Sequence, residues 1–235
     1  HIDFRGFHFH IGSQIRDNFS HLAALGVALK LIVDVHTDYG FDVSELNLGG
    51  GFGIRYLPGD PETELGYFLD PMMQLIRFEM EKAKIPMPMV TIEPGRWIIG
   101  EAGITLYELR SVKTIPGIRT NVGVDGGMTD NIRPALYEAR YHAISANKAD
   151  WSHDTVVTIA GKCCESGDIL VKDVGLAEPK PGDIVAVFST GAYNHSMASN
   201  YNRIPRPAVV MTTGEGRHRL SVRRESYEDM LIREF

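Results

Sequence analysis

Three short stretches in the first hundred residues carry groups that could do chemistry together. Residues 10–14 (HIGSQ) offer an imidazole and a hydroxyl, and residues 49–53 (GGGFG) offer backbone N–H groups that an anion can approach closely. Residues 93–96 (EPGR) place a carboxylate beside a guanidinium. A ligand with a phosphate and a basic ring nitrogen would use all three stretches. The glycines and the serine would hold the phosphate, the glutamate would pair with the protonated nitrogen, and the histidine would lie against the ring. Pyridoxal 5'-phosphate (PLP) is such a ligand.

Each stretch by itself has a simpler interpretation. The glycine run could be a tight turn, and it lacks the spacing of a dinucleotide-binding fingerprint. His10 could be a packed core histidine, and Glu93 with Arg96 could be a surface ion pair of little energetic value. His8 lies two residues before His10, but no third ligand follows at a suitable spacing, so we expect no metal site. Only the combination of the three stretches favours PLP.

The elements that must position these stretches alternate between strand and helix. Apolar runs predict strands at 7–11, 46–48 and 90–92, and each run ends at one of the three stretches. Leucines at helical spacing predict a helix before Gly40, which is placed as a C-cap, and a second helix is predicted over 71–84 with Pro71 in its first turn. This alternation predicts an α/β domain with a parallel sheet over residues 1–102, and ligands gather at the carboxyl ends of such strands.

The pattern changes to short β-rich runs after residue 102, with turn signals such as Pro116-Gly117 and Pro181-Gly182 between them. We therefore predict a second, antiparallel β domain over residues 103–235. The predicted strands are 105–113, 155–160, 184–188, 207–211 and 220–223.

Composition restricts the classes of function. The 235 residues are 43% hydrophobic and 23% charged, and the net charge of -6 argues against a nucleic-acid partner. We see no signal peptide and no apolar run of about 20 residues, so we expect no membrane partner. Cys163 and Cys164 are neighbours that a disulfide would strain, which favours a reducing cytoplasm.

The three stretches resemble the motifs of the fold-type III PLP-dependent decarboxylases, the alanine-racemase-like group. Further motifs resemble the diaminopimelate decarboxylases of that family, and the resemblance covers essentially the whole chain. These motifs are Asp125-Gly126-Gly127-Met128, Arg133-Pro134-Ala135-Leu136-Tyr137, Cys164-Glu165-Ser166-Gly167-Asp168 and Gly191-Ala192-Tyr193.

The resemblance implies the fold and the site residues. The fold would be part of a TIM-type (β/α) barrel followed by an antiparallel β-sandwich or Greek-key domain. The residues implied around PLP are His10, Ser13, Gly51, Glu93, Gly95, Arg96 and Tyr193. The residues implied around the substrate are Arg96, Arg133, Tyr137, Glu165 and Tyr193. Cys164 and Glu165 would reach into the active site of a second subunit, so the catalytic unit would be a homodimer.

The implied reaction is decarboxylation of meso-2,6-diaminopimelate to L-lysine and carbon dioxide. His10, Glu93 and Cys164 would be catalytic: His10 against the ring, Glu93 stabilising the protonated ring nitrogen, and Cys164 returning a proton to the former α-carbon. Arg133 would suit the distal carboxylate, because a guanidinium can bond both of its oxygens. A cationic distal end would prefer an acidic residue, which argues against the alternative of an ornithine, arginine or carboxylated-polyamine decarboxylase.

The lysine that would bind PLP covalently is not found. Lys148 follows Ala146-Asn147, which is superficially like the family motif, but it lies between the Arg133 and Cys164 motifs, where we expect an exposed loop residue. We therefore expect this sequence to be a fragment that is inactive by itself, with a non-catalytic fragment or pseudoenzyme as the other alternative.

Overall fold

The computed structural model describes residues 1–235, which form two compact units. The first unit contains His1–Arg55 and Asp60–Gly100, and the second contains Tyr56–Gly59 and Glu101–Phe235. The main division lies close to the boundary that we predicted at residue 102. The short segment Tyr56–Gly59 was not predicted to belong to the second unit.

The first unit is a three-stranded parallel sheet with helices between its strands. The strands pair in the order β1-β2-β3, with all neighbours parallel. Its elements are β1 (Gly6–His8), α1 (Phe19–Tyr39), β2 (Glu45–Gly50), α2 (Leu65–Ala83), β3 (Met89–Glu93) and α3 (Gly95–Ile99). The predicted alternation of strand and helix is therefore confirmed, and Gly40 ends α1 in the left-handed conformation with its N–H bonded to the His36 carbonyl.

The core of this unit lies between the sheet and the helices α1 and α2. Leu25, Leu29 and Ile32 of α1 are almost completely buried against β2 and against Met72 and Ile76 of α2. By length and composition alone α1 could cross a membrane, although we expected no apolar run of that length. A helix of a protein core can have the same length and composition, and the packing of these three side chains favours that interpretation.

The prediction for α2 was wrong at its beginning. The helix begins at Leu65 rather than at Pro71, so Pro71 lies inside it. Proline has no N–H to donate to the carbonyl four residues earlier, which is that of Tyr67. The side-chain amide of Asn18 donates to this carbonyl instead, at 2.9 Å. A long-range hydrogen bond therefore compensates for a helix-breaking residue.

The second unit is dominated by a six-stranded sheet in the order β6-β9-β4-β5-β7-β8. Its edge strands β6 and β8 approach each other, so the sheet is nearly closed. The strands are β4 (Thr105–Ile115), β5 (Arg119–Val124), β6 (Ala143–Ser145), β7 (Thr155–Ala160), β8 (Ile169–Leu176) and β9 (Ile184–Val187). A separate antiparallel pair follows, made of β10 (Val209–Thr212) and β11 (His218–Val222).

Short helices complete the second unit. The α-helices are α4 (Arg133–Tyr137) and α5 (Tyr227–Leu231), and the 3-10 helices are Ala146–Lys148, His195–Met197 and Tyr201–Arg203.

The expectation of a wholly antiparallel β domain was wrong for one strand pair. β5 and β7 are parallel, whereas the other neighbours in the six-stranded sheet are antiparallel. A parallel pair needs a long crossover connection. Residues 125–154 supply it, and they contain α4 with the Arg133 motif.

Lys148 is also not the exposed loop residue that we expected. Its side chain is only 12% exposed and its ammonium lies 2.5 Å from the Asp183 carboxylate. It also donates to the Glu178 carbonyl at 3.0 Å. These contacts give Lys148 a structural role, because a buried charge is stable only with such partners.

We predict that Asn18→Ala lowers the free energy of unfolding by about 1 kcal/mol, the usual value of one intramolecular hydrogen bond. In a Pro71→Ala background the cost of Asn18→Ala should be clearly smaller, because the N–H of the new alanine can bond the Tyr67 carbonyl. Urea unfolding of the two single variants and the double variant measures this coupling. Equal costs of Asn18→Ala in both backgrounds would contradict the proposed compensation.

Candidate functional site

The glycines at the end of β2 let three backbone segments of the first unit meet. Gly50 is paired with Glu93 of β3, and a Cβ on Gly50 would lie 2.0 Å from the Glu93 carbonyl oxygen. Gly51 has a φ of 86°, and a Cβ there would lie 1.9 Å from the carbonyl oxygen of Gly12. Real side chains do not tolerate such distances. The glycines are therefore required for close backbone packing, before any ligand is considered.

His10 lies past the end of β1, beside the glycine turn. Its Nδ1 accepts a hydrogen bond from the Gly50 N–H at 3.3 Å, so the proton of the neutral ring is on Nε2. The ring is exposed, and its Cε1 lies 3.5 Å from the Cβ position of Gly51. The predicted strand over 7–11 was too long, because β1 ends at His8. His10 is consequently a loop residue held by the backbone of the neighbouring strand.

Glu93 is the last residue of β3, and two side chains hold one of its oxygens. Asn47 donates to Oε1 at 2.9 Å, and His8 Nε2 lies 3.5 Å from the same atom. Asn47 also accepts from the Gly49 N–H at 2.9 Å, which links the carboxylate to the glycine turn. No protein group bonds Oε2 of Glu93. That oxygen is available to a ligand.

Ser13 and Arg96 form a second pair at the same strand ends. Arg96 Nη2 donates to the Ser13 hydroxyl at 2.9 Å, and Arg96 is only 7% exposed. Arg96 belongs to α3, which Gly95 begins directly after the β3 carboxyl end. A hydroxyl, a guanidinium and a glycine N–H therefore occupy neighbouring strand ends.

The positions and the chemistry of these residues fit PLP. The available oxygen of Glu93 suits a protonated ring nitrogen, and the exposed His10 ring suits a flat face. The hydroxyl of Ser13 and the guanidinium of Arg96 suit a phosphate. All of the first unit's predicted site residues are brought together.

In the second unit, the Arg133 and Tyr193 motifs come together as well. The Arg133 guanidinium carbon lies 5.3 Å from the centre of the Tyr137 ring and 5.7 Å from that of Tyr193. Tyr193 has a φ of 66°, a strained conformation for a non-glycine residue that is common at functional sites. Arg133 forms no ion pair with any carboxylate of the chain. A half-buried cation between two aromatic rings is suited to an anionic ligand.

Asp168 connects two of the sequence motifs, a role that was not predicted. Its buried carboxylate accepts from the Met128 N–H at 2.6 Å and from the Cys163 N–H at 2.7 Å. A Cβ on Gly161 would lie 2.2 Å from this carboxylate, which requires glycine there. The segment before Arg133 and the segment before Cys164 are thus fixed by one side chain.

The adjacent cysteines differ in environment and neither forms a disulfide. Partial burial, reinforced by the charge of Asp168, raises the pKa of Cys163 to about 11. Cys164 is exposed, and its Sγ lies 3.6 Å from Glu165 Oε1. The Cys164 thiol is therefore the accessible one.

Tyr201 holds Glu165 beside that thiol. Its hydroxyl donates to Glu165 Oε1, which lowers the pKa of Glu165 and raises the pKa of Tyr201 to about 12. Oε2 of Glu165 is buried without a hydrogen-bond partner in the chain.

Sequence analysis did not identify four residues that position these groups: Asn47, Tyr141, Asp168 and Tyr201. Asp168 lies in a recognised motif, so its polarity next to Gly167 was a signal that could have been used. Asn47 stands between two strand leucines, which was also unusual. For Tyr141 and Tyr201 no local signal exists, because their partners are eight and thirty-six residues away.

Comparison with known proteins defines the class. A family model described as "Pyridoxal-dependent decarboxylase, C-terminal sheet domain" matches residues 18–191. The chain therefore belongs to the pyridoxal-dependent decarboxylase family, whose cofactor is PLP.

Three similar proteins are all diaminopimelate decarboxylases, a narrower group within that family. The chain is 48% identical to the diaminopimelate decarboxylase of Bacillus subtilis, over 98% of this chain and 52% of that protein. Among solved structures, that of diaminopimelate decarboxylase from M. jannaschii in complex with L-lysine has a TM-score of 0.90 at 34% identity, over 98% of this chain and 52% of that one. The Helicobacter pylori enzyme with L-lysine has a TM-score of 0.83 at 29% identity, over 97% of this chain and 54% of that one. The chain spans about half the length of these relatives.

We predict that Asp168→Asn lowers the free energy of unfolding by about 2–3 kcal/mol, because an amide NH₂ would face one of the two backbone donors and the charged acceptor would be lost. The exposed Asp150→Asn is the matched control and should change stability by less than about 0.5 kcal/mol. Chemical unfolding of both variants makes the comparison, and equal small effects would show that Asp168 is not the anchor.

Proposed function

We propose that the full-length protein containing this chain decarboxylates meso-2,6-diaminopimelate to L-lysine with release of carbon dioxide. The observation that carries the proposal is Arg133, a half-buried cation between Tyr137 and Tyr193 with no carboxylate partner in the chain. The substrate has a second amino-acid end, whose carboxylate would satisfy this cation. The similarity to diaminopimelate decarboxylases, at 48% identity for the Bacillus subtilis enzyme, supports the same substrate.

In this proposal the first unit is part of a TIM-type barrel and holds PLP at its strand ends. Ser13, Gly51, Gly95 and Arg96 surround the phosphate. When bound, PLP accepts the electrons that decarboxylation leaves on the substrate. Glu93 supplies negative charge to the ring nitrogen through its available oxygen, and His10 lies against the ring.

The second unit supplies substrate contacts and a proton. Cys164 is accessible and delivers a proton to the former α-carbon, and Glu165 binds the substrate beside it. We propose that both act on the active site of a second subunit in a cytoplasmic homodimer. We also propose that the nearly closed sheet of this unit has a β-sandwich or Greek-key topology.

The first test measures carbon dioxide release from meso-diaminopimelate by the full-length protein, with ornithine and arginine as competing substrates. Activity with meso-diaminopimelate alone is expected. Arg133→Ala should lower kcat/KM about 100-fold, because a partly buried carboxylate loses its ionic partner. Arg119→Ala, an exposed arginine of the same unit, is the control and should leave kcat/KM unchanged. Preference for ornithine would overturn the substrate assignment, and the 235-residue chain by itself should be inactive.

Subunit complementation tests the shared site. Glu93→Gln and Cys164→Ala should each lose at least about 100-fold in kcat as homodimers. If Cys164 acts across the dimer, mixing the two inactive variants creates one site with both native residues, so up to a quarter of the wild-type activity should return. If both residues serve the same subunit's site, mixing will restore nothing.

A further inference from the structure

Tyr141 is a buried tyrosine whose hydroxyl is directed at Arg133. Arg133 Nε donates to this hydroxyl at 3.0 Å, and Tyr141 is only 3% exposed. The Tyr141 ring is itself fixed by an edge contact with Tyr56, with 5.3 Å between ring centres and an interplanar angle of 84°. A rigid, buried group therefore holds the inner nitrogen of the guanidinium.

Two other tyrosines lie close to the guanidinium group of Arg133. Tyr137 and Tyr193 lie over it at 5.3 and 5.7 Å, and both are considerably exposed. With Nε bonded to Tyr141, the two terminal nitrogens are left to form a fork. Such a fork bonds both oxygens of a carboxylate, which a freely rotating arginine would do less well.

We propose that Tyr141 is a positioning residue that determines specificity for a substrate with a distal carboxylate, acting through Arg133. This inference rests on the proposed function of the same site. Tyr141 touches neither substrate nor cofactor in this proposal. Its hydroxyl keeps the guanidinium from rotating, so the binding energy of the distal carboxylate is not spent on ordering the arginine.

The test uses Tyr141→Phe in the full-length protein, which removes only the hydroxyl. L-Lysine keeps the distal carboxylate of the substrate, whereas 1,5-diaminopentane lacks it. We expect the inhibition constant of L-lysine and the KM of meso-diaminopimelate to rise about tenfold, the effect of one hydrogen bond to a charged group. The inhibition constant of 1,5-diaminopentane and kcat should change less than twofold. Equal weakening of both inhibitors, or of neither, would overturn the proposal.

A double-variant cycle distinguishes positioning from general damage. Lysine at position 133 has no Nε–H fork for the tyrosine to hold, so Tyr141→Phe should have no further effect on L-lysine binding in an Arg133→Lys background. Additive effects would mean that Tyr141 acts independently of Arg133, against the proposal.

Two further measurements separate the possible failures. If Tyr141→Phe does not fold, hydrogen exchange in the wild type tests the proposal instead. The Nε–H resonance of Arg133 is identified as the one that is absent in Arg133→Lys. We expect this proton to exchange slowly with water, and fast exchange would overturn the proposal. If the wild-type full-length protein does not decarboxylate meso-diaminopimelate, the proposed function itself fails. Wild-type activity with unselective inhibition in Tyr141→Phe rejects only the role of Tyr141.

Discussion

The close approach of three backbone segments at the carboxyl end of the parallel sheet is the constraint on which the first unit depends. Gly50 and Gly51 have carbonyl oxygens of Glu93 and Gly12 where their Cβ atoms would be, at 2.0 and 1.9 Å. Any side chain there would push the segments apart. The same contact brings the Gly50 N–H to His10 and places the Glu93 carboxylate at the neighbouring strand end. Backbone packing and the arrangement of the polar groups are therefore one feature of the molecule.

In the second unit, buried polar side chains hold the candidate site residues in place. Asp168 fixes the two segments that lead to Arg133 and Cys164, and Tyr141 fixes the arginine itself. The buried carboxylate of Asp168 is satisfied by two backbone donors, which is the condition for burying a polar group without loss of stability. Arg133 forms no ion pair with a carboxylate of the chain, and Oε2 of Glu165, like Nε2 of His153, is buried without a hydrogen-bond partner. Asp168 and Tyr141 thus hold candidate site residues in place before any ligand binds, an arrangement typical of a preorganised binding site.

Where sequence reasoning failed, a distant partner had changed the local preference. Proline is unfavourable inside a helix because it leaves one carbonyl without its usual N–H donor. Here Asn18, which is distant from Pro71 in sequence, donates to that carbonyl. Lysine in a polar stretch is usually exposed, but the Lys148 side chain is only 12% exposed, and its ammonium pairs with the Asp183 carboxylate. The parallel pairing of β5 and β7 depends on the path of the crossover between them, and no residue within either strand encodes it.

The sequence by itself determined the alternation of strand and helix, the change to β-rich structure after about residue 102, the Gly40 cap and the three polar stretches at strand ends. These features depend on periodicity, on backbone freedom and on chain order, which are local properties. Only the tertiary structure decided which oxygen of Glu93 stays available, how Asp168 joins two motifs and which tyrosine holds Arg133. Those outcomes depend on side chains that are distant in sequence meeting within about 3 Å, and hydrogen bonds of that length are specified by packing rather than by sequence spacing.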